Sequence, residues 1–345
     1  MKILITGGSG FFGLHLIKKL ISSGHGVRNL DLADINDTEL ERSVEFIKAD
    51  VRDKAAVDRA AEGAEIVFHN AAILPVSRSK KKIFWDINVR GTEIVLDSCV
   101  KNEVRKVIFI SSSAPYGIPK STPITEMTGF NPVEDYGRSK IAAEDLCRRY
   151  KENGLDISIL RPRTIVGAGR LGIFQILYSW ISDGNNVYII GKGDNLFQLL
   201  SSDDLAQACL LAIEKPCRNE DFNIGAESYG TVRQDLESLI AYARTRSRVV
   251  SIPAGIAKSA LFILDKMNLS PLGRWHYLTP DKPFYFDITK AKTVLGFRPK
   301  HSNIEMFKKS YDWYISNRSS VDTQFGITHR KSTRQRILRV LKKIS

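Results

Sequence analysis

Thr6-Gly-Gly-Ser-Gly-Phe-Phe-Gly13 follows an apolar run, Met1 to Ile5, and precedes a stretch with helical spacing of apolar residues. This order predicts a strand, a tight glycine turn and a helix. Gly7, Gly10 and Gly13 allow the backbone to turn sharply, to approach a pyrophosphate and to pack the helix closely on the strand. The N-terminus of the helix would then face the phosphates. The stretch therefore predicts the first unit of a dinucleotide-binding fold.

An acidic residue ends the next apolar stretch. Asp31 lies eighteen residues after Gly13, where a dinucleotide fold places the carboxylate that accepts from the adenosine ribose hydroxyls. No arginine follows Asp31 closely or lies in the glycine turn to neutralise a phosphate at the 2′ position. The pattern therefore predicts NAD as the cofactor.

Strand-like and helix-like segments alternate along the first half of the chain, which is typical of an α/β protein with a doubly wound parallel sheet. The predicted strands are Lys2 to Thr6, Val27 to Leu32, Phe46 to Ala49, Ile66 to Asn70, Lys106 to Ser111 and Ile157 to Arg161. Beyond Gly167 the alternation weakens, which predicts a smaller C-terminal substrate lobe. We therefore divide the chain into a Rossmann domain over 1–165, to which segments around 196–225 return, a substrate lobe over 166–317, and a basic tail over 318–345.

Composition narrows the function classes. The chain has 345 residues, 43% hydrophobic residues and four cysteines without a paired spacing, which predicts reduced thiols and neither a zinc site nor another metal centre. It has no apolar window long enough to span a membrane and no secretory leader, so we expect a cytoplasmic protein. The net charge is +13, of which +7 lies in residues 318–345. This distribution argues against a nucleic-acid partner.

A possible acid–base pair occurs in Tyr136-Gly-Arg-Ser-Lys140. Residues four apart share a helix face, which would set the Lys140 ammonium beside the Tyr136 phenol. A nearby cation lowers the pKa of a phenol and so makes it a usable base. Exposed helix pairs have the same spacing, so this motif alone leaves a structural interpretation open.

A row of hydroxyls supports the catalytic interpretation. Ser111-Ser-Ser-Ala-Pro-Tyr-Gly117 follows a predicted strand, at the sheet edge where a nicotinamide would lie. With these residues the chain resembles the extended short-chain dehydrogenases/reductases of the NAD-dependent epimerase/dehydratase family, in particular UDP-glucose 4-epimerases. The resemblance covers Met1 to about Asn317. Further motifs that carry it are Asp50-Val-Arg-Asp53, His69-Asn-Ala-Ala72, Asn88-Val-Arg-Gly91, Leu160-Arg-Pro162, Ser202-Asp-Asp-Leu205, Phe222-Asn-Ile-Gly225 and Leu295-Gly-Phe-Arg-Pro299.

The resemblance implies a role for each matching residue. It makes Ser112, Tyr136 and Lys140 catalytic, with Ser113 as the alternative hydroxyl. The implied NAD contacts are Gly7, Gly10, Phe11, Phe12, Gly13, Asp31, Asp50, Val51, Asn70, Ala71, Ala72, Asn88, Ser111, Tyr136, Lys140, Pro162 and Ile165. The candidate substrate contacts are Ser113, Arg170, Asn195, Gln198 and Arg233, for which surface solvation is the alternative. Pro115 departs from the family pattern, which usually has Val before this tyrosine.

The resemblance also implies oxidation of a sugar hydroxyl in a nucleotide-sugar substrate. Ser113 and Ala114 occupy the positions where dehydratases of the family have an Asp-Glu pair, and neither works as an acid or base near neutral pH. We therefore favour C4 epimerisation through a keto intermediate. The alternative is a dehydrogenase or ketoreductase acting on a sugar nucleotide or a steroid-like alcohol, which the apolar stretch Ile256 to Leu264 leaves open, although we interpret that stretch as a core helix. Retention of the serine, tyrosine and lysine argues against a protein that only binds NAD.

Two partner predictions remain. The tail from His329 places Ile337, Val340, Leu341 and Ile344 at helical spacing among basic residues, which indicates either an amphipathic helix at a membrane surface or a solvated tail. The family resemblance implies a homodimer formed through two helices, Phe84 to Lys101 and Tyr136 to Asn153.

Overall fold

The computed structural model describes residues 1–35, 37–75, 81–267 and 273–321. Within these residues the strands are β1 Lys2–Thr6, β2 Gly26–Asp31, β3 Val44–Lys48, β4 Ile66–His69, β5 Lys106–Ile110, β6 Ile157–Pro162, β7 Ile165–Val166, β8 Val187–Ile190, β9 Leu200–Ser201, β10 Asp221–Ile224 and β11 Val249–Ile252.

The helices of the described residues alternate with these strands. They are α1 Phe11–Ser22, α2 Thr38–Ser43, α3 Lys54–Ala61, α4 Lys81–Phe84, α5 Gly91–Lys101, α6 Asp135–Glu152, α7 Ile173–Ser182, α8 Ser202–Glu214, α9 Val232–Ala243, α10 Ala254–Lys266, α11 Trp275–Leu278 and α12 Asn303–Val321. A π-helical turn, Trp85–Arg90, joins α4 to α5, and a 3₁₀ turn, Ala114–Tyr116, follows β5.

A parallel sheet forms the centre of the molecule. In the described part of the chain it has seven strands in the order β10-β6-β5-β4-β1-β2-β3. The strand order reverses at β1, where the chain continues to β2 on one side and later to β4 on the other, and ligands of such sheets bind outside the carboxyl ends of the strands at this point. The predicted doubly wound α/β fold is confirmed. The predicted strand ends differ by one or two residues, most at β3, which begins at Val44.

Two apolar layers hold the helices on the sheet. Side chains of α1 and α8 pack on one face with Ile3, Ile5 and Phe222 of the strands. Side chains of α3, α5 and α6 pack on the other face with Leu4 and Val107. Alternate residues of each strand therefore enter opposite layers, which explains why the strands read as continuous apolar runs.

The later part of the chain forms a smaller cluster beside this sheet. Helices α7, α9 and α12 pack together with β8 and β11, which form a separate parallel pair. Between them the chain returns to the main sheet, where α8 lies against α1 and β10 pairs with β6. Helix α12 continues to Val321, so the first four residues of the segment expected to be a tail are helical. Residues 322–345 of that segment lie outside the described residues.

Helix α10 differs from its prediction. The apolar stretch Ile256 to Leu264 was expected to be a core helix, but Ala257 is the one buried residue of α10. Helical spacing alone predicted the helix correctly and its burial wrongly, because an apolar helix face carries no signal of what covers it. No helix of the described residues is long and apolar enough to cross a membrane.

Candidate active site

A cleft of about 830 Å³ runs along the carboxyl ends of β1, β2, β4, β5 and β6. Its lining begins at the glycine turn, passes the ends of the strands and reaches α6, the segment after β6 and α11. Cofactor and substrate sites of open α/β sheets have this position and size. The cleft is therefore the candidate active site.

The glycine turn forms the end of the cleft that suits a pyrophosphate. Gly7 has φ +75°, and a Cβ on it would stand 2.6 Å from the Cα of Ala71. A Cβ on Gly13 would stand 2.5 Å from the Cα of Gly8, so only glycine allows α1 to pack this closely. Gly10 is the N-cap of α1 and makes no side-chain cap. The N-terminal N–H groups of α1 and their partial positive charge are therefore available to an anion.

The acid after β2 is fixed by the backbone. The Oδ2 atom of Asp31 accepts from the Ser9 N–H at 2.9 Å and its Oδ1 atom accepts from the Ala33 N–H at 3.0 Å. Asp50 and Val51 line the same end, and a hydrogen bond from Arg52 holds the pKa of the Asp50 carboxyl below its usual range. These residues fit the adenosine half of a dinucleotide.

We expect Asp31→Asn to weaken NAD binding roughly 10- to 100-fold, because hydrogen bonds to a charged group contribute about 1.5–3 kcal/mol. The same change removes a negative charge near the expected position of the ribose. It should therefore reduce the ratio of the affinity for NAD to the affinity for NADP. Calorimetric titration of both cofactors measures this. Asp312→Asn is the matched control, because that exposed carboxylate bonds Tyr242 outside the cleft. Unchanged NAD affinity in Asp31→Asn would refute the assignment.

The loop after β4 supports the middle of the cleft. Asn70 donates to the Gly7 carbonyl at 2.9 Å, and Ala71 and Ala72 line the wall beside it. Asn88 does not line the cleft: its side chain bonds the backbone of Ile73 and donates to the Ser139 hydroxyl on α6 at 3.0 Å. Asn88 therefore braces this loop against the helix that carries Tyr136.

Tyr136 and Ser112 meet at the far end of the cleft. Burial raises the pKa of the Tyr136 phenol, and two effects oppose that rise: a hydrogen bond with Ser112 and the charge of Arg170. The Ser112 Oγ atom also accepts from the Ala114 N–H at 3.1 Å, which fixes the hydroxyl. The structure thus brings the predicted hydroxyl and phenol together.

Lys140 lines the cleft together with Tyr136, one helical turn away on α6. Its Nζ atom donates to the Ile110 carbonyl at 2.8 Å and lies 4.1 Å from the centre of the Phe109 ring. Burial lowers the pKa of Lys140 to about 8, against the opposing charge of Glu144. The charge of Arg170 also acts on the Tyr136 phenol, where it opposes the rise of the pKa.

Arg170 is partly buried and lies between aromatic rings. Its guanidinium lies 5.3 Å from the Phe11 ring centre and 6.0 Å from that of Phe174, and its buried Nε atom has no hydrogen-bond partner in the described part of the chain. Burial lowers the pKa of Arg170 to about 9. A guanidinium with a buried, unused donor at the cleft wall is suited to an anionic or carbonyl oxygen of a ligand.

Pro115 is compatible with the turn that follows Ser112. This proline stands in the first turn of the 3₁₀ segment Ala114–Tyr116, where a missing N–H costs nothing. Tyr116 is fully buried and donates to Asn223 Oδ1 at 2.9 Å. Gly117 completes the turn with φ +54°. Ser111 and Ser113 flank Ser112 and also line the cleft.

Pro162 and Ile165, which the resemblance places at the nicotinamide, line the cleft, and so does Arg163, which was not predicted. Arg163 is 1% exposed, donates to the Ser113 hydroxyl at 3.2 Å and lies 4.0 Å from the Phe284 ring centre. No motif of the sequence predicted a charged residue at this position. Its position one residue after the Leu-Arg-Pro motif was the available signal.

Three predicted substrate residues lie outside the cleft. Asn195 donates to the Pro280 and Lys282 carbonyls. Gln198 is fully buried and bonds the backbone of Ala226 and Phe286. Arg233 bonds the Lys192 carbonyl and Glu237 at the surface. These side chains hold loops together, whereas Arg170 and Ser113 do line the cleft.

The sequence did not predict that residues of α11 line the cleft. Trp275 and His276 of α11 line it, and the Trp275 N–H donates to Glu134 Oε1 at 2.7 Å, just before α6. Burial raises the pKa of Glu134 and lowers that of His276 to about 4. No motif surrounds these residues, so only the tertiary fold reveals them. No group of His, Cys, Asp and Glu suited to a metal ion occurs in the described ranges.

Comparisons with known proteins agree with this geometry. The model described as "NAD dependent epimerase/dehydratase family" matches residues 3–225. The "Uncharacterized protein y4nG" of Sinorhizobium fredii is 41% identical over 98% of this chain and 85% of its own length. The UDP-glucose 4-epimerase of Lactobacillus helveticus is 29% identical over 92% of this chain and 98% of its own length.

A solved structure shows the same architecture. The UDP-glucose 4-epimerase of Thermotoga maritima, crystallised with UDP-glucose, superposes with a TM-score of 0.77 at 29% identity, covering 92% of this chain and 99% of that one.

Proposed function

Because the chain belongs to the NAD-dependent epimerase/dehydratase family, we propose that it epimerises a nucleotide sugar at C4 through a transient keto intermediate. The observation that carries this proposal is the Ser112–Tyr136 pair at the far end of the cleft, without an acidic residue at the two positions after Ser112. The family, the NAD cofactor and the Rossmann fold are shown by the comparisons. The reaction at C4 is our inference.

The cofactor site fits the residues present. The tight Gly7 turn and the uncapped N-terminus of α1 would hold the pyrophosphate, and Asp31 would hold the adenosine ribose. Bound there, NAD would supply the acceptor and later the donor of a hydride at the sugar carbon. Tyr136 would take the proton of the sugar hydroxyl, and Ser112 would donate a hydrogen bond to the oxygen as it becomes a carbonyl. The keto sugar would have to turn over in the cleft, so that the hydride returns to the other face of C4, and return of the proton from Tyr136 would then complete the inverted alcohol.

The rest of the cleft disfavours elimination of water. Ser113 accepts a hydrogen bond from Arg163, and Ala114 has no functional group. Among the described residues, Glu134 is the one carboxyl lining this end, and its Oε1 atom is engaged by the Trp275 N–H. A dehydratase needs a free acid and base beside the keto sugar. The keto intermediate is therefore expected to be reduced again and not to lose water.

One observation favours a second candidate. The exposed apolar face of α10 lies next to α11, whose Trp275 and His276 line the cleft. An apolar surface near the cleft fits a dehydrogenase or ketoreductase whose alcohol substrate is a lipophilic molecule such as a sterol. In that case hydride transfer would proceed in one direction only.

The discriminating experiment incubates the purified protein with NAD and a panel of UDP-, dTDP- and GDP-sugars. NADH absorbance is followed while the sugars are resolved by chromatography. Conversion to the C4 epimer without accumulating NADH supports the proposal. Stoichiometric NADH with a keto product supports the dehydrogenase, and no reaction with any sugar of the panel contradicts both nucleotide-sugar activities.

Arg170→Met provides a test of the base. Loss of the Arg170 guanidinium removes a cation that opposes the rise of the Tyr136 pKa, so that pKa rises further. Because the base acts as phenolate, the rise of kcat/KM with pH should move to higher pH, and the rate at neutral pH should fall roughly tenfold per unit of this shift. Arg233→Met, outside the cleft, should leave the pH profile in place. A profile of Arg170→Met that coincides with that of the unaltered enzyme would show that Arg170 does not tune Tyr136.

We also propose that the protein is a homodimer formed through α5 and α6. These helices lie side by side, joined by the Tyr150 hydroxyl and the Asp97 carboxylate, and Val100 is exposed on their outer surface. Light scattering at micromolar concentration tests this, and a monomeric mass would contradict it.

A further inference from the structure

Helix α10 presents apolar side chains to solvent along most of its length. Ile256 is 66% exposed, Phe262 47%, Ile263 58% and Met267, which follows the helix, 61%. Ile256, Ala260, Ile263 and Met267 are spaced by four, three and four residues and therefore share one face. Large apolar side chains exposed singly are ordinary, but Ile256, Ile263 and Met267 on one face, with Phe262 farther around the same helix, form a patch of the kind that marks an interaction site.

The composition of this surface indicates its partner. The exposed residues of α10 and its end are Gly255, Ile256, Ser259, Ala260, Phe262, Ile263, Lys266 and Met267. They include one cation and no acid. The single acid of the helix, Asp265, is turned away and pairs with Arg274 and with the Tyr277 hydroxyl. An apolar face with lysine and without carboxylates is complementary to an anionic lipid surface.

The basic end of the chain has the same character. Residues 322–345 contain seven Lys or Arg and one acid, with Ile337, Val340, Leu341 and Ile344 at helical spacing. These residues lie outside the described part of the chain, so their contribution here is their charge alone. Each cation near an anionic bilayer contributes about 1 kcal/mol. The charge of this segment would add to the apolar contact of α10.

The position of α10 connects this surface to the active site. Besides the Asp265 contacts, Lys258 pairs with Asp281 at 2.7 Å on the other side of α11. Helix α10 is thus fastened to the segment that carries Trp275 and His276 into the cleft. A bilayer that received α10 would lie one helix away from the substrate end of the cleft.

We propose that the exposed face of α10 docks on an anionic phospholipid bilayer, which places the α11 side of the cleft at the membrane surface. The face is a single convex helix without hydrogen-bonding groups other than Ser259 and Lys266, which suits insertion among lipids better than pairing with a protein surface. The proposal does not rest on the C4 reaction, since it concerns binding without substrate.

Vesicle flotation with the full-length protein tests the proposal. Vesicles of phosphatidylcholine are compared with vesicles in which a third of the lipid is phosphatidylglycerol. We expect binding to the anionic vesicles, and a decrease of tenfold or more in Ile256→Ser/Ile263→Ser, because each isoleucine loses its transfer into the bilayer. Met127→Ser/Val294→Ser, which alters two exposed apolar residues elsewhere, should bind as the unaltered protein does. Deletion of residues 322–345 should weaken binding and reduce its salt dependence.

Three results would overturn the proposal. The first is equal vesicle binding by Ile256→Ser/Ile263→Ser and the unaltered protein. The second is no binding of the unaltered protein to anionic vesicles. The third is a change of oligomeric state on light scattering in Ile256→Ser/Ile263→Ser, which would assign the face to a second copy of the chain. Because all four side chains are exposed, both double variants should fold. Thermal melting checks this.

Discussion

Tyr136→Phe is expected to lower kcat by roughly 10²–10⁴-fold, the usual contribution of a positioned acid–base group. The ring stays in place because it packs edge-on against Phe84 at 6.3 Å, but no group remains to take the proton of the sugar hydroxyl. NAD affinity should change little, since the glycine turn and Asp31 lie at the other end of the cleft. Initial rates at saturating substrate and a calorimetric NAD titration measure the two effects separately.

Tyr150→Phe is the matched control for this variant. Tyr150 is on the same helix, but its hydroxyl bonds Asp97 on α5, outside the cleft. Its removal should leave kcat within about twofold. Comparable activity in Tyr136→Phe would show that Tyr136 is not the base. The proposed function would then lose the Ser112–Tyr136 pair on which it rests.

The largest effect on stability is expected from Arg161→Met. Arg161 is 1% exposed, and its Nη2 atom lies 2.7 Å from Glu144 Oε2 and 2.8 Å from Asp221 Oδ2. Without it, the fully buried Glu144 keeps the longer pair with Arg148, at 3.2 Å, and loses its closest cation, whereas Asp221 keeps Lys151. Breaking a buried ion pair by removing one partner costs about 3–5 kcal/mol. The midpoint of urea unfolding should fall accordingly.

The same network connects stability to the active site. Glu144 also accepts a hydrogen bond from the Ser111 hydroxyl and supports the charge of Lys140. Arg161→Met should therefore weaken catalysis even below its unfolding temperature. Arg318→Met is the matched control, because its exposed pair with Asp183 should contribute at most about 1 kcal/mol. An unfolding midpoint of Arg161→Met equal to that of the control would contradict the role of this network.

The sequence sufficed for the central sheet because its signals are local. The glycine turn, the apolar runs and the helical spacings depend on neighbouring residues, and six predicted strands match observed ones within one or two residues. Asp31 and Ser112 could be foreseen because they stand at fixed distances from such signals. The seventh strand, β10, was not predicted, because it pairs with β6 across an entire lobe segment; the sequence indicated only that residues around 196–225 return to the Rossmann domain.

What the sequence could not predict depends on contacts between distant segments. Trp275 and His276 reach the cleft from more than a hundred residues after Tyr136, and Lys140 is drawn to the Ile110 carbonyl in the neighbouring strand. Gln198 was expected at the substrate, but backbone groups of two later segments occupy its amide. Helix α10 shows the same limit, because apolar spacing does not state whether protein covers a face.

Epimerisation at C4 is tested most directly with a deuterium label. A nucleotide sugar carrying deuterium at C4 is incubated with the NAD-loaded enzyme, and the products are examined by NMR and mass spectrometry. We expect the C4 epimer with deuterium retained at C4, because the same hydride would return to the sugar within the site. Deuterium found in released NADH, together with a keto sugar, would contradict epimerisation and make the protein a dehydrogenase.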